Sequence, residues 1–447
     1  MVIQRALNAV RNPAQLVLGS FITLILIGTI LLSLPIAFDP GAPHNSFVDN
    51  LFWSTSASTV TGLSTTDISH FSIFGELVLL GLIQLGGFGI MTIGSVIALA
   101  LSHRVGLRQR MLAQAEIGAV DIGELRFLIA AIARITIIVE ASIAIILFIH
   151  LVTVDGVSEQ RAAYSSIFHA VSAFNNAGIS LNSDSLTTFA TDALVVLPVT
   201  FAFILGGLGF PIIVEFARRV SPRRWSLHTR ITLAATAALL VIGPVSVLVL
   251  EWTNPATLGP MNWWQKLLAA WFQGVTPRTA GFNTVDIGNM NESTLSVITG
   301  LMFVGAGPAS TSGGIKVTTF AILAFAMWAE ITGSSDVNVF RRRIPPHVIR
   351  QAMTVALLAV GTVFSTAVLL TLFSGFSFSS TIFEAASAFG TVGLSMGITP
   401  HLPVIGDLIL IVVMLAGRVG PITFVAALAM RQRTRLYRFP EERPIIG

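Results

Sequence analysis

The chain has 447 residues, of which 53% are hydrophobic and only 11% charged, against roughly 25% charged in an average soluble domain. A mean hydropathy of +0.81 places most of it in lipid. The formal charge of +4 comes from basic residues that alternate with apolar runs, so it calls for no nucleic acid, and the absence of cysteine excludes a disulfide framework and thiol chemistry.

Apolar runs recur at about 16–38, 74–101, 126–152, 190–217, 228–252, 293–329, 347–372 and 403–430, each at least the roughly 20 residues that a spanning helix needs. About eight spans are therefore expected. The first exceeds a signal-peptide core of roughly 7 to 15 residues and is read as a retained span. Arg5, Arg11, Arg104, Arg108, Arg110, Arg218, Arg219, Arg223, Arg224, Arg341 to Arg343, Arg431, Arg433, Arg435 and Arg438 fall on one side of these runs. Asp39, Asp49, Asp67, Asp155, Asp184, Asp286, Glu292 and Asp407 fall on the other. By the positive-inside rule the basic side is cytoplasmic, and so are both termini of this multi-pass cell-membrane protein.

Four segments on the acidic side align without gaps: FWSTSASTVTGLS from Phe52, FHAVSAFNNAGIS from Phe168, WFQGVTPRTAGFN from Trp271 and FEAASAFGTVGLS from Phe383. Each reaches a glycine ten positions after its aromatic residue: Gly62, Gly178, Gly281 and Gly393. Around each lies the same order of long run, short semi-polar stretch, glycine and long run. The expected fold is thus an all-α membrane protein of four helix, pore-loop, helix repeats in pseudo-fourfold arrangement about one pore. Its expected division is an N-terminus at 1–15, repeats at 16–110, 111–220, 221–335 and 336–431, and a tail at 432–447. Irregular backbone at membrane depth must line a water-filled cavity or be buried in protein. A second register of small residues follows inside each second helix, at Gly86-Gly87-Phe88-Gly89, Gly206-Gly207-Leu208-Gly209, Gly305-Ala306-Gly307 and Gly417-Arg418-Val419-Gly420. Close packing and a helix break both remain open for it.

A cation filter needs backbone carbonyls turned to the axis, and glycine permits that turn. The expected ion-binding stretches are Val60, Thr61 and Gly62; Asn175, Asn176, Ala177 and Gly178; Thr279, Ala280 and Gly281; and Thr391, Val392 and Gly393. Arg278, three residues before its glycine, is read as bracing the loop from behind. The third unit alone is interrupted after its glycine, by GAGPASTSGGIK at residues 305–316, a density of glycine, proline and hydroxyls that cannot hold a helix. An intramembrane loop with Gly305, Gly307, Ser310, Gly313, Gly314 and Lys316 is expected there, at a level where it can block ions. It is no phosphate-binding loop, since Gly314 follows Gly313 and Val317 follows Lys316. Arg418 lies inside the last run and is expected beneath the filter, retarding cations or holding the loop. Glu384 and Glu140 are read as packing or buried hydrogen-bonding groups. No HExxH, paired carboxylates or nucleophile-base set suggests an enzyme. An alternating-access carrier of another cation or small solute is the alternative, though it wants intramembrane acids, of which the pore segments are nearly free.

Thr276 to Thr284, Gly313-Gly-Ile-Lys316, Phe389 to Ser395 and Gly417-Arg418-Val-Gly-Pro421 resemble the Trk/Ktr/HKT superfamily of potassium transporters across nearly the whole chain. The short N-terminus brings it nearest the Ktr-type membrane subunit. The resemblance implies a filter at the four glycines, a gate at 305–316 opposed by Arg418, potassium as the transported ion with sodium as an activator left open, and no covalent cofactor. It also implies a homodimer regulated by a cytosolic ring of nucleotide-binding subunits. Ala309 and Ser312 stand where the family pattern commonly has glycine.

Overall fold

The computed structural model describes residues 13–102, 122–217 and 221–420. In chain order the helices are α1 (Pro13–Leu32), α2 (Phe47–Thr59), α3 (Ile73–Ser102), α4 (Ile122–Thr153), α5 (Glu159–Phe174), α6 (Ala193–Leu208), α7 (Phe210–Ala217), α8 (Leu227–Glu251), α9 (Trp263–Val275), α10 (Glu292–Phe303), α11 (Val317–Ile331), α12 (Pro346–Ser374), α13 (Phe378–Gly390) and α14 (Val404–Val419). They fall into four units of outer helix (α1, α4, α8, α12), short helix (α2, α5, α9, α13) and inner helix (α3, α6–α7, α10–α11, α14). A two-stranded antiparallel hairpin, β1 (Asn338–Val339) with β2 (Arg342–Arg343), adds a small sheet to the expected all-helical fold.

Within α4, α8 and α12, the stretches Ala130–Thr153, Leu227–Glu251 and Pro346–Ser374 are long and apolar enough to cross a membrane. Their outward faces carry Ile138, Val241, Val249, Leu357 and Leu372, all exposed, as lipid contact requires and water would penalise. The short helices are set by their caps. Ser46 and Asp49 form a reciprocal capping box on α2, and Asn262 with Gln265 forms another on α9, satisfying orphan amides at the helix starts. These helices are too short to span, and α2 buries Ser54, Thr55, Ser56, Ser58 and Thr59 inside the protein.

Each short helix packs on the inner helix of its predecessor: α5 on α3, α9 on α6, α13 on α10, and α2 on α14. The last pair closes the circle. Glycine in the inner helices also lets each come close to the short helix of its own unit. A Cβ on Gly86, Gly206 or Gly417 would stand 2.0, 1.9 and 1.9 Å from the carbonyl oxygens of Ser58, Phe174 and Phe389, each four residues before its unit's ring glycine. Close packing therefore accounts for Gly86 in the continuous α3. The second cluster also breaks the helix, because Gly209 adopts φ +94° between α6 and α7. The run at 293–329 divides into α10 and α11 around the loop 305–316.

Among the sequence expectations, the basic groups at Arg5, Arg11, Arg104, Arg108, Arg110, Arg218, Arg219, Arg431, Arg433, Arg435 and Arg438, residues 1–12 of the N-terminus and the tail 432–447 lie outside the described residues.

Candidate functional site

The four glycines meet at the centre of the circle. A Cβ on Gly62 would stand 2.4 Å from Ala177 O, one on Gly178 2.8 Å from Ala280 O, one on Gly281 2.4 Å from Val392 O, and one on Gly393 2.3 Å from Thr61 O. Each unit thus abuts the carbonyl of the next, and the fourth returns to the first. All four glycines have positive φ, between +65° and +95°, where a side chain would be both strained and overlapped.

Two residues before each glycine stands a residue with left-handed backbone, a conformation that the sequence pattern does not announce. Val60, Asn176, Thr279 and Thr391 all adopt φ between +50° and +71°, a conformation that costs β-branched residues about 1–2 kcal/mol. The surrounding hydrogen bonds impose it. The amides of Thr61, Ala177 and Val392 donate to the carbonyls of Ser56, Ser172 and Ser387 at 2.8 Å, and that of Ala280 to Thr276 O at 2.9 Å. Gly62 N and Gly393 N donate to the hydroxyls of Ser56 and Ser387 at 3.0 and 3.1 Å. In a planar trans peptide the carbonyl points opposite to its amide. The oxygens of Val60, Asn176, Thr279 and Thr391 therefore face away from the short helices, as do those of Thr61 and Val392. Of the expected stretches, all four thus converge, although Asn175 turns its side chain outward, to Gln84 and Glu140. Arg278 lies behind the ring, its guanidinium donating to Thr236 Oγ1 on α8 at 3.3 Å.

The segment just beyond each glycine is held by its own short helix. Trp53 Nε1 donates to Thr66 Oγ1 at 2.8 Å, and His169 Nε2 lies 2.9 Å from Ser180 Oγ. The fully buried Glu384 accepts from Ser395 Oγ, Met396 N and Thr399 Oγ1.

The loop 305–316 is tied by the second and fourth units besides its own. Gly307 N donates to Gly207 O at 2.8 Å, Thr311 N to Gly206 O at 3.3 Å, and Gly314 N to Gly417 O at 3.1 Å. Side chains from the left-handed positions reach it too: Thr311 Oγ1 bonds Asn176 Oδ1 at 3.1 Å, and Gly313 N donates to Thr391 Oγ1 at 3.0 Å. Arg418, 2% exposed, donates from Nη1 to Thr311 O and from Nη2 to Gly86 O at 2.7 Å. Lys316 folds back on the loop, Nζ to Ser312 O at 2.6 Å. Gly305 N donates to Ile315 O at 2.8 Å, closing the loop's neck, and Ser310 is buried within it. Asn176 and Thr391 as loop contacts were missed in the sequence, since nothing in their spacing to 305–316 records the approach.

Residues 4–434 match the family model described as TrkH, cation transport protein. The chain belongs to the TrkH family of cation transport proteins. It is 41% identical to the Ktr system potassium uptake protein B of Bacillus subtilis over 97% of this chain and 96% of that one. It is 38% identical to the protein of the same name from Vibrio alginolyticus, covering 97% and 94%. The crystal structure of the potassium transporter TrkH from Vibrio parahaemolyticus superposes with a TM-score of 0.72 at 19% identity, covering 92% of this chain and 85% of that one. This TrkH-family chain is thus a multi-pass membrane transport protein of the Ktr type and not an enzyme.

Proposed function

We propose that the protein takes up potassium through a pore whose filter is the ring of Gly62, Gly178, Gly281 and Gly393 and whose gate is the loop 305–316. The closed cyclic contact of the four glycine strands carries this reading. It supplies a ring of carbonyl oxygens of the kind that replaces a cation's hydration shell. The gate assignment is supported by the loop's burial under that ring and its bonds to Asn176, Thr391 and Arg418. Potassium as the ion is supported by the full-length likeness to proteins named for potassium uptake. Each unit follows the repeat boundaries at 16–110, 111–220, 221–335 and 336–431, with both termini in the cytoplasm. Assembly is as a homodimer on a cytosolic ring of nucleotide-binding subunits. The relatives' names, which make protein B one component of a Ktr system, support a partner of this kind.

The test is cation flux into proteoliposomes containing this protein, under an imposed potential. Potassium and rubidium should pass far ahead of sodium and lithium. Equal passage of all four would overturn the filter reading, and no flux even with the loop removed would favour an alternating-access carrier.

A further inference from the structure

Arg341 to Arg343, between the third and fourth units, belong to the β1–β2 hairpin, which neither the ring nor the loop 305–316 uses. Val339 pairs with Arg342, leaving Phe340 and Arg341 as a two-residue turn with φ of +48° and +62°. Such a turn ordinarily takes Asn-Gly, because both positions are left-handed, and holding phenylalanine and arginine there is costly. Packing at the tip does not offset the strain: Phe340 stays 45% exposed, and Arg341 is exposed beside it.

The tip is nevertheless fixed in place. Val339 and Ile344 are buried in one cluster with Leu227 and Ile231 of α8, Phe325 of α11 and Val348 of α12, and Arg343 pairs with Asp336 at 2.8 Å. Since β1 also packs on α11, the chain turns back after α11 ends at Ile331, to the level at which α8 and α12 begin. Those are spanning outer helices, so their first turns mark the membrane surface. An exposed aromatic ring among cationic side chains at that level is the pattern of an interfacial anchor. Charge there is one-sided. Arg341, Arg342 and Arg350 and, ahead of α8, Arg223 and Arg224 are exposed and enter no ion pair among the described residues. Of the acids near the hairpin in sequence, Asp336 is engaged by Arg343, and Glu330 lies in the last turn of α11.

We infer that the β1–β2 tip binds anionic phospholipids of the cytoplasmic leaflet, with the Phe340 ring seated below the headgroups and Arg341 and Arg342 on their phosphates. The choice of leaflet rests on the proposed orientation with both termini in the cytoplasm. Guanidinium groups match phosphate oxygens two at a time, and basic side chains at this depth are drawn to a negatively charged leaflet. A cytosolic protein would call for a hairpin standing clear of the membrane, whereas this one is folded back onto the first turns of the outer helices.

The experiment is thermal unfolding of the purified full-length protein in detergent micelles supplemented with phosphatidylglycerol or phosphatidylcholine. Lipid bound only by the folded state raises Tm saturably. Phosphatidylglycerol should raise the wild-type Tm by several degrees more than phosphatidylcholine does. The double variant Phe340→Asn/Arg341→Gly relieves the turn, so its Tm in phosphatidylcholine should exceed the wild type's, while the extra rise in phosphatidylglycerol falls by at least half. A hairpin with a merely structural role would not move the two quantities in opposite directions. Arg342→Gln, which leaves the turn residues in place, should weaken phosphatidylglycerol binding about fivefold. The altered residues lie outside the ring and the loop 305–316, so potassium selectivity should match the wild type's, and failure of the ring reading is separable from failure of this surface. An equal phosphatidylglycerol increment in wild type and variants would overturn the lipid site and leave a protein partner as occupant of the tip. Absence of the increment from the wild type would overturn it too.

Discussion

Arg418 shows what one side chain can hold. Its buried guanidinium joins the fourth unit to Thr311 of the loop and to Gly86 of the first unit. Arg418→Gln removes the charge and at least one of these bonds. Hydrogen bonds to charged groups contribute about 1.5–3 kcal/mol, so, on the proposed gate, the closed loop should weaken by that order and flux through the protein alone should rise roughly tenfold or more. Proteoliposome flux checks this; unchanged flux would mean that Arg418 only packs. The sequence exposed Arg418 because a charge inside an apolar run is conspicuous. It named Asn176 and Thr391 only for the filter and could not expose their contacts with the loop, because the Asn176 amide and the Thr391 hydroxyl are ordinary until the loop is seen against them.

At the scale of elements, the inner helices separate packing from breakage. In α3, a Cβ on Gly86 would lie 2.0 Å from Ser58 O, whereas nothing lies within 4 Å of one on Gly81. Gly86→Ala should therefore destabilise by about 1–3 kcal/mol through overpacking against backbone that cannot yield. Gly81→Ala should stabilise by about 0.5–1 kcal/mol through helix propensity. Thermal unfolding of the two variants in detergent reads the difference. The third unit's loop is the other distinctive element. Its ends are already close, Val304 pairing with Ile315 and Gly305 N bonding Ile315 O. Deleting 305–316 should raise flux while leaving the protein inserted in the membrane; unchanged or lower flux in a well-folded variant would count against the gate.

For the molecule as a whole, cyclic closure makes the four glycines equivalent in geometry though not in sequence context. Gly62→Ser, Gly178→Ser, Gly281→Ser and Gly393→Ser should each lower the preference for potassium over sodium to a similar degree. Two such changes in adjacent units should combine non-additively, because each glycine shares its contact with the next strand. Selectivity ratios from flux in single and double variants test this. Independent, additive effects would mean that the strands do not act as one ring.

Composition and hydropathy determined that this chain belongs in a membrane, and the fourfold repeat of an aromatic residue and a glycine ten positions later determined its units. Those signals are local or periodic, and lipid enforces them on any chain of this pattern. The break in α10–α11 was legible for the same reason, since glycine, proline and hydroxyl residues fail to hold a helix wherever they stand. Only the tertiary structure decided that the second cluster both packs at Gly206 and breaks at Gly209, that Val60 and Thr391 accept left-handed backbone, and that Glu140 faces Asn175 and Gln84. Each of these depends on which carbonyl or carboxamide a distant helix brings within 3 Å or so. Position along the chain does not encode that distance; packing around the closed ring does.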